Sequence, residues 1–151
     1  MQETLEKLRA FPARLAAATE GLAEGQLAKL EKSGGWSVAD VVAHLGDLEL
    51  VYAVRIRTIV AGAGETPLPA LAQNDWVERV HRREPVSELL ERFTFERRHN
   101  LAFIERLTEE ELERRGIHPQ YGSISVRDAA QRMLNHDAKH FAQLERIRGA
   151  L

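Results

Sequence analysis

Two histidines one helical turn apart, with a carboxylate between them, lie near the C-terminal end of the chain. The stretch NHDAKHFAQ, residues 135–143, contains His136, Asp137 and His140. Side chains four residues apart on an α-helix are neighbours, with Cβ atoms about 5–6 Å apart, so both imidazoles can reach one divalent ion. A metal site needs at least one further ligand, which must come from another part of the chain.

A third histidine has a comparable placement on a different predicted helix. His44 lies beside an apolar stripe near the start of that helix, as His136 and His140 flank the stripe of the last helix. The remaining histidines follow charged or loop positions: His81, His99 and His118. Two interpretations are open from the residues alone. The three imidazoles form a metal site, or each is a hydrogen-bonded histidine at the boundary of the core.

Asp137 has two alternative roles. The pattern His136-Asp137-x-x-His140 partly matches the helix motif of zinc proteases, in which a Glu at this position is the general base. Asp is one methylene shorter, and here it is predicted to point into the middle of the apolar stripe. A buried carboxylate needs a partner. Arg97 and Asn100 interrupt the apolar stripe of the third helix, so a buried Asp137–Arg97 pair is the competing prediction.

Composition excludes several classes of protein. The 151 residues suffice for one domain with a core, and the hydrophobic fraction of 44% is ordinary for a globular protein. The absence of cysteine excludes disulfides and thiolate metal ligands. Net charge is −2, with arginines and glutamates interleaved, so we expect no nucleic-acid binding. No apolar run is long enough for a transmembrane helix and the N-terminus does not resemble a signal peptide, so a cytoplasmic location is expected.

Helical periodicity extends over most of the chain and predicts four amphipathic helices. The first covers about 4–22, with Pro12 expected to kink or break it. After Gly34 and Gly35, Ser37 and Asp40 form a capping box that starts the second helix, which runs to about residue 61.

The second half of the chain follows the same scheme. A loop at 62–70 and a short helix from Asp75 to about Arg83 precede the third helix, from 85–87 to about Leu107. Ser125 and Asp128 repeat the capping pattern to start the fourth. No stretch alternates for long enough to predict a sheet. The expected fold is all-α, a four-helix bundle with a long connection between the second and third helices.

Two segments of the chain read GGWSVADVVAHLGDLE at 34–49 and HPQYGSISVRDAAQRMLNHDAKHFAQLERIR at 118–148. They resemble the DinB-like superfamily of damage-inducible bacterial proteins, which includes YfiT-type and mycothiol- or bacillithiol-dependent enzymes. The resemblance covers nearly the whole chain. The most specific elements are Trp-Ser followed by His-Leu, and His-Asp-x-x-His followed by Gln143. The resemblance implies a single four-helix-bundle domain in which His44, His136 and His140 bind a divalent metal. Zinc or nickel is expected, with iron as a third candidate.

The resemblance also implies the activity. Characterised members of the superfamily use the metal to activate a thiol or water, and in a chain without cysteine the thiol must arrive as a cosubstrate. We therefore expect a metal-dependent thiol S-transferase acting on small electrophiles. The alternatives are a metal-dependent, amidase-like hydrolase and a non-catalytic metal- or ligand-binding bundle of the stress response.

A site for a thiol cosubstrate should present cationic and polar groups around the open face of the metal. Arg55 and Asn100 are expected near the open face of the ion, with Arg97 close by beside Asp137. The predicted partner is a small-molecule substrate, with a low-molecular-weight thiol as the candidate cosubstrate. A homodimer is expected, without nucleic acid or membrane.

Overall fold

Four long helices dominate the structure. The computed structural model describes residues 1–31, 35–81 and 84–151, without the side chain of Asn74. The long helices are α1 (Gln2–Thr19), α3 (Val38–Ala61), α5 (Val86–Ile104) and α7 (Val126–Gly149). Three short ones lie between them: α2 (Glu24–Leu27), α4 (Gln73–Trp76), which continues into a π-helical turn (Val77–His81), and α6 (Glu109–Glu113). None of the described helices is long and apolar enough to span a membrane.

The long helices form the predicted four-helix bundle. α1 and α3 each pack against both α5 and α7, so α1 and α3 occupy diagonal corners. Both predicted capping boxes are confirmed. The Ser37 hydroxyl accepts from the Asp40 N–H at 3.1 Å and the Ser37 N–H donates to Asp40 at 2.9 Å; Ser125 and Asp128 repeat the pair at 3.0 and 2.9 Å. Gly34 lies outside the described residues.

Pro12 does not break α1, contrary to one of the two expected outcomes. Proline lacks the N–H that would bond to the carbonyl four residues earlier, here that of Leu8. The Arg97 guanidinium donates to this Leu8 oxygen at 3.1 Å and replaces the missing bond. The helix ends at Thr19, earlier than predicted, because Glu20 is extended; Gly21 then takes a left-handed backbone conformation with φ of 78°.

Two further boundaries differ from the predictions. The third long helix, α5, ends at Ile104 instead of Leu107 because Thr108 caps a new helix, its hydroxyl accepting from the Glu111 N–H at 3.2 Å. The short helix predicted from Asp75 begins two residues earlier, at Gln73. Its predicted end at Arg83 lies outside the described residues.

The prediction that no sheet forms was wrong. Three short strands make one sheet in the order β1 (Thr66–Pro67), β2 (Arg115–His118) and β3 (Gly122–Ser125). β1 is parallel to β2, and β2 and β3 form an antiparallel hairpin. Strands of two to four residues are too short to show a period-two pattern. The sheet ties the loop after α3 to the hairpin before α7.

Two apolar clusters fill the bundle, and a polar layer separates them. On α5, Phe93 belongs to one cluster and Leu101 to the other, with the buried Arg97 between them. Asp137 and Glu49 occupy the same level on α7 and α3, and both are also buried.

Candidate metal centre

The three predicted histidines converge on one point at the surface of the bundle. His44 comes from α3, and His136 and His140 come from successive turns of α7. The ring centroids are separated by 5.1 Å (His44–His136), 4.6 Å (His44–His140) and 4.2 Å (His136–His140). One nitrogen from each ring lies within 4.8 Å of the other two. The structure therefore brings the three predicted residues together.

The nitrogen geometry fits a shared ion. The Nε2 atoms of His44 and His136 are 3.2 Å apart. Two nitrogens bound to a tetrahedral zinc ion at about 2.0–2.1 Å are about 3.3 Å apart, since they subtend the tetrahedral angle. His44 and His140 are buried and His136 is partly exposed, so one side of the group remains accessible to a fourth ligand.

Gln143 fixes the orientation of His140. Its side-chain oxygen lies 2.8 Å from His140 Nδ1. An amide oxygen only accepts, so Nδ1 carries the proton and Nε2 presents a lone pair. That Nε2 is buried and has no hydrogen-bond partner among the described residues. An imidazole held by an outer hydrogen bond with its other nitrogen bare is typical of metal-ligating histidine.

The imidazoles are neutral at physiological pH. Burial is the main cause that lowers the pKa of His44 to about 3, with further effects from His140 and Lys139. Burial likewise lowers the pKa of His136 to about 2, assisted by the two neighbouring histidines. Burial also lowers the pKa of His140, although its bond to Gln143 acts in the opposite direction. Neutral imidazole is the form that binds metal, so the site needs no deprotonation near pH 7.

The metal-free protein should lose stability on acidification because of these histidines. An unfolded histidine takes up a proton near pH 6.5, whereas His44 in the folded chain does so near pH 3. Between these values the unfolded state binds the additional proton, so the free energy of unfolding falls as pH falls. From about pH 7.5 to 5, we expect His44→Gln to lose about 2 kcal/mol less than wild type. Urea unfolding in the presence of a chelator measures this difference.

The exposed His99 provides the matched control for that comparison. His99→Gln should lose as much stability as wild type over the same pH interval, because it changes an exposed side chain and leaves the three clustered histidines in place. Burial raises the pKa of Asp137 to about 6, which opposes the histidine effect, but this carboxyl is present in all three proteins and cancels. Equal losses in wild type and His44→Gln would contradict the prediction.

An open cleft of about 680 Å³ lies over the histidines. α3 and α7 form its floor, and its walls come from the loop around 70–73 and the turn of the β2–β3 hairpin. Trp36 lines one side, with its ring 4.8 Å from the His44 ring and stacked at 5.9 Å on that of His140. The histidines are therefore held by an aromatic wall on one side and face a ligand-sized space on the other.

Asp137 does not join the histidine cluster. Its two carboxylate oxygens accept from Arg97 at 2.8 and 2.9 Å. The same guanidinium donates to Glu49 at 2.8 Å, and Asn100 donates to Glu49 at 3.0 Å. All four side chains are buried. The predicted Asp137–Arg97 pair is thus present, and the geometry gives a base role for Asp137 no support.

The residues expected around the open face divide into two groups. Arg55 lines the cleft, as expected. Asn100 does not, because it faces the centre of the bundle and bonds to Glu49; Arg97 likewise lies in the core instead of at the cleft. Packing of α5 against α3 places both inside the bundle.

Two histidines without a predicted role have defined positions. His118, at the end of β2, lines the cleft and its Nδ1 accepts from the Gln120 N–H at 3.1 Å. Burial lowers its pKa, with smaller effects from Arg55 and Arg132. His81 is buried and bonds to Asp47 at 2.8 Å. His118 was missed because the hairpin that carries it to the cleft was not predicted.

Comparison with known proteins finds two relatives that are named for metal-dependent hydrolysis. A protein of Oceanobacillus iheyensis named "putative metal-dependent hydrolase" is 24% identical over 145 residues, covering 96% of this chain and 83% of the relative. One of Geobacillus kaustophilus with the same description is 35% identical over 78 residues, covering 52% of this chain and 43% of the relative.

Solved structures give the same fold. YfiT from Bacillus subtilis, described as a "probable metal-dependent hydrolase with an unusual four-helix bundle topology", superposes with a TM-score of 0.85 at 23% identity, covering 98% of this chain and 87% of that one. A mycothiol-dependent maleylpyruvate isomerase gives 0.73 at 12% identity, covering 95% and 58%. The family model described as the DinB superfamily matches residues 7–144. The chain therefore belongs to the DinB superfamily.

Proposed function

We propose that the protein is a divalent-metal-dependent hydrolase of small molecules, with His44, His136 and His140 as the metal ligands. The observation that carries this proposal is the convergence of three neutral imidazoles on the floor of an open cleft. Three protein nitrogens with an accessible fourth position are typical of catalytic sites, whereas structural zinc sites are closed by four protein ligands. The open cleft also argues against a purely structural ion.

The residues of the chain supply orientation around the ion. When bound, a zinc or nickel ion would supply Lewis acidity that polarises a substrate carbonyl and lowers the pKa of a water molecule. Gln143 keeps the His140 proton on Nδ1, and Trp36 covers the His44 and His140 rings on one side. His118 accepts the Gln120 N–H at Nδ1, so its own proton is on Nε2, from which it can be donated in the cleft.

We rank hydrolysis above thiol transfer, which was the first expectation from the family resemblance. Both relatives that align with the chain are named for metal-dependent hydrolysis, and the thiol-dependent structure is the more distant of the two superpositions. Thiol S-transfer remains the second candidate for a specific reason. The cleft volume of about 680 Å³ accommodates a cosubstrate beside a small electrophile. The expected homodimer and cytoplasmic location remain predictions.

Metal reconstitution tests the function. The chelated protein is reloaded separately with Zn²⁺, Ni²⁺ and Fe²⁺, then assayed on chromogenic esters and anilides without thiol, and on 1-chloro-2,4-dinitrobenzene with cysteine, glutathione or bacillithiol. We expect metal-dependent hydrolysis that is lost in His44→Ala. Equal rates with and without metal would reject both activities. If 1-chloro-2,4-dinitrobenzene is turned over in a reaction that requires both thiol and metal, and the esters and anilides are not hydrolysed, the protein is a transferase and not a hydrolase.

Gln143 should affect metal affinity without affecting the fold. Gln143→Leu removes the acceptor that holds His140 in the Nε2-bare tautomer. Loss of such an outer hydrogen bond typically weakens metal binding by about 10–100-fold. Competition with a chromogenic chelator measures the affinity, with Gln131→Leu, on the exposed side of α7, as control. Unchanged affinity in Gln143→Leu would remove its positioning role.

A further inference from the structure

The far end of the same cleft contains a buried arginine. Arg55 is only 7% exposed and lines the cleft together with the histidines. His44 and Arg55 are both on α3, eleven residues apart, which corresponds to about 16 Å along the helix axis. Leu48 and Tyr52 line the cleft between them, so one face of α3 connects the two groups.

The Arg55 guanidinium is incompletely paired. Nη2 donates to the Pro69 carbonyl at 3.2 Å, whereas Nε is buried and has no hydrogen-bond partner among the described residues. No carboxylate in the described part of the chain forms an ion pair with it. A buried cation without a counter-ion is costly, and natural proteins normally pair it. This contrasts with Arg97, which has two carboxylates.

The surroundings of Arg55 leave its charge uncompensated. Burial raises the pKa of Tyr52 to about 12, so this neighbour is a neutral hydroxyl at physiological pH. Glu31 is the one acidic side chain among the described cleft residues, and it is bonded to Arg146. Lys139 also lines the cleft, but beside the histidines. At the end opposite to the proposed chemistry, the positive charge is therefore that of Arg55.

We propose that Arg55 binds an oxyanionic group of the substrate, a carboxylate or a phosphate, while the scissile bond lies at the histidines. This inference rests on the proposed function and adds a substrate class: small molecules whose hydrolysed bond and anionic group are separated along the α3 face of the cleft. A guanidinium suits such a group because its N–H donors match two oxygens at once. The neutral Tyr52 hydroxyl and the aliphatic Leu48 side chain lie against the intervening part of the substrate.

The anion site can be tested without metal. The 15N-labelled protein, kept metal-free by a chelator, is titrated with two anions, glutarate and inorganic phosphate, and with the neutral compound glutaramide. The Arg55 Nε–H resonance, identified by its absence in Arg55→Met, should shift saturably with at least one anion and not with glutaramide. Arg55→Met should weaken anion binding by about tenfold or more, since a charge-assisted hydrogen bond contributes about 1.5–3 kcal/mol. Arg55→Lys should retain part of the affinity.

Arg57→Met is the matched control, because Arg57 is two residues away on α3, exposed, and stacked on Phe103 outside the cleft. It should bind the anions as wild type does. The proposal is overturned if glutaramide shifts the Arg55 resonance as the anions do, or if Arg55→Met binds the anions unchanged. If the protein binds phosphate more tightly than glutarate, the anionic group of the substrate is a phosphate; if it binds glutarate more tightly, the group is a carboxylate.

A second series separates this proposal from the function on which it rests. The zinc-loaded protein is titrated calorimetrically with acetohydroxamate and with ω-carboxyalkyl hydroxamates of increasing length, each beside its carboxamide analogue. Failure of all hydroxamates counts against the metal centre and leaves the metal-free anion result standing. Binding of acetohydroxamate with no gain from any carboxylate tail in wild type, or with the same gain in Arg55→Met as in wild type, counts against the anion site alone.

Discussion

His140→Ala is expected to lower the affinity for divalent metal by at least about 100-fold, and to remove metal-dependent activity. Loss of an outer hydrogen bond alone costs about 10–100-fold, and this variant deletes a nitrogen ligand. His140 Nε2 is buried and has no hydrogen-bond partner among the described residues. His44→Ala should behave alike, since the remaining pair comes from one helix only. Elemental analysis and chelator competition measure the effect.

His99→Ala serves as the control for these variants. His99 is exposed, and its Nδ1 donates within its own helix to the Phe95 carbonyl at 3.0 Å. It should retain wild-type metal content. If His44→Ala, His136→Ala and His140→Ala all keep one ion per chain, the three imidazoles are not the ligands and the proposed function fails with them.

Arg97→Met is expected to lower the free energy of unfolding by about 3–5 kcal/mol. Arg97 is 2% exposed and bonds to both Glu49 and Asp137. Its removal leaves two buried carboxylates without their counter-ion and leaves the Leu8 carbonyl, which Pro12 cannot satisfy, without a donor. For a domain of this size the change corresponds to a fall in Tm of about 10 °C. Urea and thermal unfolding measure both quantities.

Two companion variants make that measurement specific. Arg98→Met, one residue further along α5, removes an exposed arginine and should change stability by less than about 0.5 kcal/mol. Asp137→Asn should destabilise the protein but keep the metal content of wild type, because Asp137 contacts Arg97 and not the imidazoles. An Arg97→Met protein as stable as Arg98→Met would show that the buried pairing is energetically neutral.

The sequence was informative wherever a pattern repeats at helical spacing. The four long helices, their two Ser–Asp caps and the side of α7 that carries His136 and His140 follow from local periodicity. The pairing of Asp137 with Arg97 was also predictable, because each interrupts an apolar stripe and buried charges need partners. His44 joined the group only through tertiary packing of α3 on α7, and the resemblance to a known superfamily singled it out.

The parts that were not predicted depend on contacts distant in sequence. The strands around Thr66 and Ile117 pair across fifty residues, and each is too short to leave a periodic signal. That sheet brings His118 to the cleft. We expected Asn100 near the metal because it is polar, yet its amide donates to Glu49 in the core. Polarity identifies a residue that needs partners but not the direction in which they lie.

The buried guanidinium of α5 has a geometric effect on the cleft. Glu49 and Asp137 are on the two helices that carry the imidazoles, and both are bound to the same side chain. Neighbouring positions on a helix differ by about 100° in azimuth, so turning α7 enough to withdraw His136 would pull Asp137 out of its bidentate contact. By binding Glu49 and Asp137 at the same time, Arg97 thus prevents α3 and α7 from rotating about their axes. Three ligands on flexible loops could move independently of one another. Here the three histidines can move apart only if the buried contacts of Arg97 with Glu49 and Asp137 break.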